Sequence, residues 1–168
     1  MDKQLEKLIQ DQIKNEWYSA YLYLSMAAYF EAANFEGFAH WMYKQAGEEQ
    51  VHGKKMFDFL VDRGVKVVLQ PIAQPPADFA SPAAVFEMAY EHEQKVTALI
   101  NGIADQADKA NDHPTKVFIQ WFITEQVEEE AWAAELVDRV KGASCAGSVS
   151  DLDRHVEKLL AGDGEKEG

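Results

Sequence analysis

The sequence predicts an all-α chain folded as a four-helix bundle with one long crossover and a short fifth helix. Three observations carry that expectation. Four long stretches repeat apolar residues at spacings of three and four, while the alternation expected of strands is nearly absent. The connections after the first and third stretches are short, which implies two antiparallel helical hairpins. Between the second and third stretches lie about 17 residues, Gly64 to Ala80, including Pro71, Pro75 and Pro76. Such a segment can run the length of the bundle and leave the second and third helices parallel.

The first helix is expected at about 4–33, where Ile9, Glu16, Tyr23 and Phe30 fall seven apart on one face beside Ile13, Ala20 and Ala27. Asn34-Phe35 separates it from a second helix at about 36–63, whose inward line runs Phe38, Met42, Gln45, Glu49, His52, Met56 and Phe59. Gly64 is the stop signal. After the crossover, Ser81-Pro82 offers an N-cap followed by proline at the first helical position. The third helix, at about 82–111, carries Phe86, Ala89, Glu93, Val96, Ile100 and Ile103 inward. Asn111-Asp112-His113-Pro114 ends it and starts the fourth, at about 115–142, with Phe118, Phe122, Glu125, Glu129, Trp132, Leu136 and Val140. Helices of about 30 residues measure roughly 45 Å.

Beyond Lys141-Gly142, Ser150 is expected to cap a fifth helix over about 150–161, bearing Leu152, Val156, Leu159 and Leu160. So short a helix needs a partner surface, in its own bundle or in neighbouring copies. Residues 1–162 read as one domain and the polar stretch 163–168 as a disordered tail.

Composition narrows the function classes. A formal net charge of −13 repels a phosphate backbone, so no nucleic-acid partner is expected, and an acidic surface attracts cations instead. Cys145 is the only cysteine, so no disulfide forms within the chain. The charged start, Met1-Asp2-Lys3-Gln4, does not resemble a secretory signal, and no uncharged apolar run is long enough to span a membrane. A cytoplasmic protein is expected.

The informative residues are acids on the apolar stripes. Glu16, Glu49, Glu93 and Glu129 sit on core faces of the four helices, each about 12 to 14 residues in, so antiparallel hairpins bring them to one level. Burying one unpaired carboxylate costs several kcal/mol, and like charges make it worse. No lysine or arginine shares these stripes near the acids, so divalent cations are the economical compensation. Oxygen donors with one imidazole suit iron or manganese better than a structural zinc site. Glu49 and His52, at i and i+3, can reach one metal together. Glu49 can bridge to a second metal held by Glu93 and Glu129. The fourth helix offers Gln126-Val127-Glu128-Glu129 where a symmetric site would repeat Glu-x-x-His, so the second position has the weaker donor set.

At these residues the chain resembles the prokaryotic non-haem ferritins over almost its whole length. The matching segments are Asn15 to Tyr23, Glu48 to His52, Tyr90 to Gln94, and Gln120 to Phe122 with Glu125 to Glu130. The resemblance implies the ferritin-like bundle, with a di-iron centre in which Glu16, Glu49 and His52 hold one iron and Glu49, Glu93 and Glu129 the other. Gln126 would lie beside it. It implies a third iron position formed by Glu48, Glu125, Glu128 and Glu129, with Tyr23 and Trp121 nearby as electron donors. It further implies ferroxidase activity with dioxygen or hydrogen peroxide, and a homo-oligomeric cage of 24 subunits that stores ferric mineral.

Bacterioferritin is the nearest rival. Its pattern has a second Glu-x-x-His and a methionine two residues before the second-helix histidine, where this chain has Gln50, so no haem is expected. A Cys-x-x-Cys iron domain of the rubrerythrin kind cannot be built from one cysteine. A non-catalytic helical scaffold would have to explain acid on all four stripes. The other histidines, His40, His92, His113 and His155, are expected at surfaces or helix ends, and His113 with Asp112 and Asp108 is a candidate pore lining in a cage.

Overall fold

The computed structural model describes residues 1–143 and 145–163, the side chains of 157 and 159–163 excepted. Five helices follow in order: α1 Lys3–Ala32, α2 Glu36–Asp62, α3 Pro82–Lys109, α4 His113–Gly142 and α5 Ala146–Asp163. The described residues contain no strand. The expected ends hold to within a residue or two, except that α5 begins four residues earlier than anticipated. There the small residues Ala146 to Val149 form the first turn, Cys145 rather than Ser150 precedes it, and Ser148 within the turn accepts from the Cys145 N–H at 3.1 Å. Asp163 is helical, and the expectation of a disordered tail at 164–168 lies outside the described residues.

Helix ends are closed by the chemistry that the sequence supplies. Asp2 caps α1 by accepting from the N–H groups of Gln4 and Leu5, and Ser81 caps α3 by accepting from Ala84. Asn34, Gly64 and Asn111 adopt left-handed conformations, with φ of 59°, 71° and 53°, just past α1, α2 and α3. Asp112 caps α4 through Thr115 N and Thr115 Oγ1, and also receives a two-pronged Arg63 guanidinium at 2.9 Å on each oxygen. That pair ties the end of α2 to the start of α4. Asp112 therefore has a structural partner of its own, and Asp108 pairs with Lys116 at 2.9 Å.

The crossover sets the topology. Val68 N–H donates to Gln10 and Gln70 donates to Asp11, near the start of α1, whereas Ser25 donates to the Pro76 carbonyl further along it. The segment thus climbs α1 from one level to the other, and α3 starts beside the start of α2. Phe86 of α3 lies 4.9 Å from Phe38 of α2, ring to ring.

Two apolar clusters fill the bundle. One gathers Phe30, Phe38, Phe86 and Leu136, the other Ile9, Met56, Ile100 and Phe122. Between them lies a buried polar layer of Glu16, Glu49, His52, Glu93, Gln126 and Glu129. Helix α5 packs on the first cluster through Val156, which is buried, and Leu152, which is partly so. Its Asp153 accepts from the Phe38 N–H at 2.7 Å, capping α2, whose own N-cap residue Phe35 offers no side-chain bond. Gly37 makes the approach feasible: a Cβ there would sit 2.0 Å from the Asp153 carbonyl oxygen.

Candidate metal centre

Each side chain of the polar layer is held by a regular helix, so its placement follows from register. Helices α1 and α2 come close because Gly53 has no Cβ; one there would meet Trp17 Nε1 at 2.9 Å and Glu16 Cβ at 3.3 Å. This brings Glu16 up against Glu49 and His52. One ligand atom from each of Glu16, Glu49 and His52 lies within 4.8 Å of the others, and all three residues are buried.

The hydrogen bonding is incomplete in an informative way. Gln12 Nε2 donates to Glu16 Oε1 at 2.9 Å, but Glu16 Oε2 and Glu49 Oε2 receive no donor from any other side chain or backbone group, and without a cation the two carboxyls can only share a proton with each other. His52 Nδ1 lies 3.4 Å from Glu49 Oε2. Two orphaned carboxylate oxygens in a protein interior normally cost a great deal of stability. Here they share one space with an imidazole, and that donor set fits a divalent cation.

Electrostatics point the same way. Burial raises the proton affinity of Glu16, and raises that of Glu49 further, where the charges of Glu16 and Glu93 add to it. Glu93 is pushed up to about 7, by burial against the opposing hydrogen bonds from Tyr23 and Gln126. Glu129 is raised well above the carboxylate range by burial and by Glu93, Glu48 and Glu125. His52 is lowered to about 4 by burial and by Lys55, so its ring is neutral at pH 7 and keeps a lone pair for a metal. Without a cation the layer holds protons; a cation would release them.

Glu93 and Glu129 share this layer in a different state. Tyr23 Oη donates to Glu93 Oε1, and Gln126 Nε2 donates to Glu93 Oε2 at 3.0 Å. Among the described residues, Glu16, Glu49 and His52 form the sole group of three so closely drawn together.

A family model for the ferritin-like domain matches residues 6–143. The bacterial non-heme ferritin of Bacteroides fragilis strain 638R is 42% identical over 147 residues, covering 88% of this chain and 92% of its own. That of Campylobacter jejuni is 38% identical over 141 residues, covering 84% of each chain. Among solved structures, an open pore ferritin from the hyperthermophilic archaeon Archaeoglobus fulgidus superposes with a TM-score of 0.91 at 40% identity, over 94% of this chain and 98% of that one. This chain belongs to the ferritin family. Its resemblance to the non-haem prokaryotic branch, first visible in the spaced segments of the four helices, is thereby established.

The acids expected around a third position in this ferritin differ in exposure. Glu48 and Glu125 are half-buried and Glu128 is exposed. Gln45 Nε2 donates to Glu48 at 2.8 Å, and Lys44 lies 3.7 Å from the same carboxylate. Lys44 is a cation beside the acids that the stripe reading passed over, because it lies on the flank of α2 and reaches back. Gln12 was also missed, although it stands four residues before Glu16 and so shares its face.

Contrary to the surface position that its place in the sequence implies, His92 is mostly buried, with Nε2 2.7 Å from Ser19 Oγ and its ring against Tyr18 and Tyr23. Burial and Lys95 lower it to about 4. The serine spaced four after Asn15 gave no hint of this partner across the bundle. Trp121 packs edge-on to His52 at 5.3 Å, and Lys55 Nζ sits 3.5 Å from its ring centre.

Proposed function

We propose that this chain is an iron-storage ferritin subunit that oxidises Fe(II) at an intrasubunit di-iron centre and delivers ferric iron to a mineral inside a homo-oligomeric cage. The observation that carries the reading is the pair of orphaned oxygens, Glu16 Oε2 and Glu49 Oε2, set beside a neutral His52 in a ferritin bundle.

Glu16, Glu49 and His52 would hold the first iron. Glu49, Glu93 and Glu129 would hold the second, with Gln126 steering the Glu93 carboxylate. Fe(II) is the substrate: two ions each give one electron to dioxygen, with two protons yielding hydrogen peroxide, or to peroxide, with two protons yielding two waters. The protons that the buried carboxylates hold in the metal-free chain leave as the cations arrive, so the acids become anionic ligands only when charge compensates them. Apolar clusters on both sides exclude water from the layer.

Glu48, Glu125, Glu128 and Glu129 are proposed as a third, more open iron position through which oxidised iron moves on. Tyr23, which donates to Glu93, and Trp121, which packs against His52, are proposed as electron donors on the strength of those contacts. Residues 1–162 act as one domain, in a cage of 24 copies in the cytoplasm. The non-haem ferritin relatives support the cage and the absence of haem. No helix of the described residues is long and apolar enough to cross a membrane, and the charge of −13 disfavours nucleic acid.

Aerobic titration of the metal-free protein with Fe(II), followed by oxygen uptake and absorbance, tests the reading. Fast oxidation that stops near two iron per chain, and is lost in a folded Glu49→Ala variant, is expected. Equal rates in parent and variant would sink it.

A further inference from the structure

A cavity of about 330 Å³ opens between α3 and α4. Ile100, Ile123 and Val127 form its apolar walls, and Thr97, Asn101 and Glu130 its polar ones. Gln126 also lines it, although its side chain is 96% removed from solvent. That same Gln126 Nε2 donates to Glu93 Oε2 at 3.0 Å, to the Glu93 carbonyl at 3.4 Å and to Thr97 Oγ1 at 3.3 Å. One side chain therefore separates the groove from the Glu93 carboxylate.

We infer that this groove is the route by which a divalent cation reaches the Glu93 side of the centre, with Glu130 drawing the cation in and Gln126 the last side chain it displaces. The inference rests on the metal-centre reading above. It concerns how the ion arrives, whereas that reading concerns where it is held.

The groove differs from three other cavities in having no basic residue in its lining: one between α1, α2 and α4 carries Lys54 and Lys55 with Asp58 and Asp62, and two along the crossover carry Lys3 and Lys7 with Glu6 and Asp11, or Lys14. The α3–α4 groove has no lysine or arginine in its lining, and its one charged residue is Glu130. Glu130 is half-buried, forms no ion pair among the described residues, and lies close enough for its charge to raise the proton affinity of Glu93. A hydrated cation sheds water only where oxygen donors replace it. Glu130, Asn101, Thr97 and Gln126 supply such donors in one cavity, whereas a neutral oxidant would need none of them. The three hydrogen bonds of Gln126 all come from one amide nitrogen, so a single rotation of its side chain would open the last barrier.

Stopped-flow mixing of Co(II) with the assembled metal-free protein tests this through the d–d absorption of the bound ion, which requires no turnover. Two variants separate attraction from passage. Glu130→Gln removes the charge. Val127→Trp adds bulk at a 69% exposed position in the groove wall. Glu130→Gln is expected to slow loading about three- to tenfold at low salt, with the difference shrinking at about 0.5 M salt as charges are screened. Val127→Trp is expected to slow loading at least about fivefold at any salt, because a steric block does not screen. Both should end at the parent's Co(II) stoichiometry. Loading at the parent rate in both variants would overturn the route and leave the centre standing. A parent that takes up no Co(II) would overturn the metal centre and the route together.

Discussion

Glu93 offers the sharpest quantitative test of the buried layer. Its carboxyl is raised from 4.5 to about 7, mainly by burial. A group whose folded pKa is raised contributes stability that is complete below its unfolded pKa and is lost as pH rises through the folded value. The window therefore runs from about 4.5 to about 7, and stability of the metal-free protein falls across it. At 1.36 kcal/mol per pH unit, the penalty on ionised Glu93 is about 1 kcal/mol at about pH 5 and levels off at about 3 kcal/mol above about pH 8. Glu93→Gln keeps the shape and cannot ionise, so it should lose about 2 kcal/mol less than the parent between those two pH values. Urea unfolding of both proteins in chelator, followed by far-ultraviolet circular dichroism, reads the difference directly. Added Co(II) should close it from the other side, stabilising the parent at pH 8 and the variant much less. Identical pH slopes in parent and variant, or a parent that gains stability from pH 5 to 8, would refute the reasoning.

Other expectations follow from single contacts. Glu49→Gln should fold and, freed of a charge that Glu16 and Glu93 oppose, unfold at higher urea than the parent at pH 8 without metal; calorimetry should show Co(II) affinity at the first position reduced at least about a hundredfold. Asp112→Ala removes the α4 cap and strands Arg63, which should cost about 2 kcal/mol in urea unfolding. The parent's share of that stability should persist to strongly acidic pH, because Arg63 holds the Asp112 carboxyl far below the usual range. Gly37→Ala drives a Cβ into the Asp153 carbonyl, so α5 should leave α2; hydrogen exchange at the Phe38 amide and along α5 should accelerate at least about tenfold, with the four main helices little changed.

Much of this architecture can be read from the chain because the helices are long and their stripes regular. Glu16, Glu49, His52 and Glu93 were legible because an acid on an apolar line is costly, and the short hairpins fix the level at which it falls. Glu129 follows from the same spacing on α4, but the line read there runs through Glu125, whereas the structure leaves Glu125 half-buried and buries Gln126, which only the family resemblance had placed beside the centre. What was hidden is contact between elements far apart in sequence. His92 looks like a flank residue until Ser19 and Tyr23 of α1 close over it. Asp112 gives no sign in the sequence of the Arg63 that reaches it from α2. The start of α5 was misplaced because Ala143 to Val149 reads as a small-residue linker. Its helicity depends on Ser148 closing the first turn and on the docking of Asp153 and Val156 against α2. The α3–α4 groove has no sequence signature, since it exists only through the gap between two stripes.

The buried Glu16, Glu49 and His52 constellation is proposed as an iron site. Anomalous diffraction at the iron edge, from crystals of the assembled protein loaded anaerobically with Fe(II), tests it most directly. A strong peak is expected among Glu16, Glu49 and His52, with a second toward Glu93 and Glu129. Iron found only at surface acids, with that buried space empty at saturating Fe(II), would contradict the account.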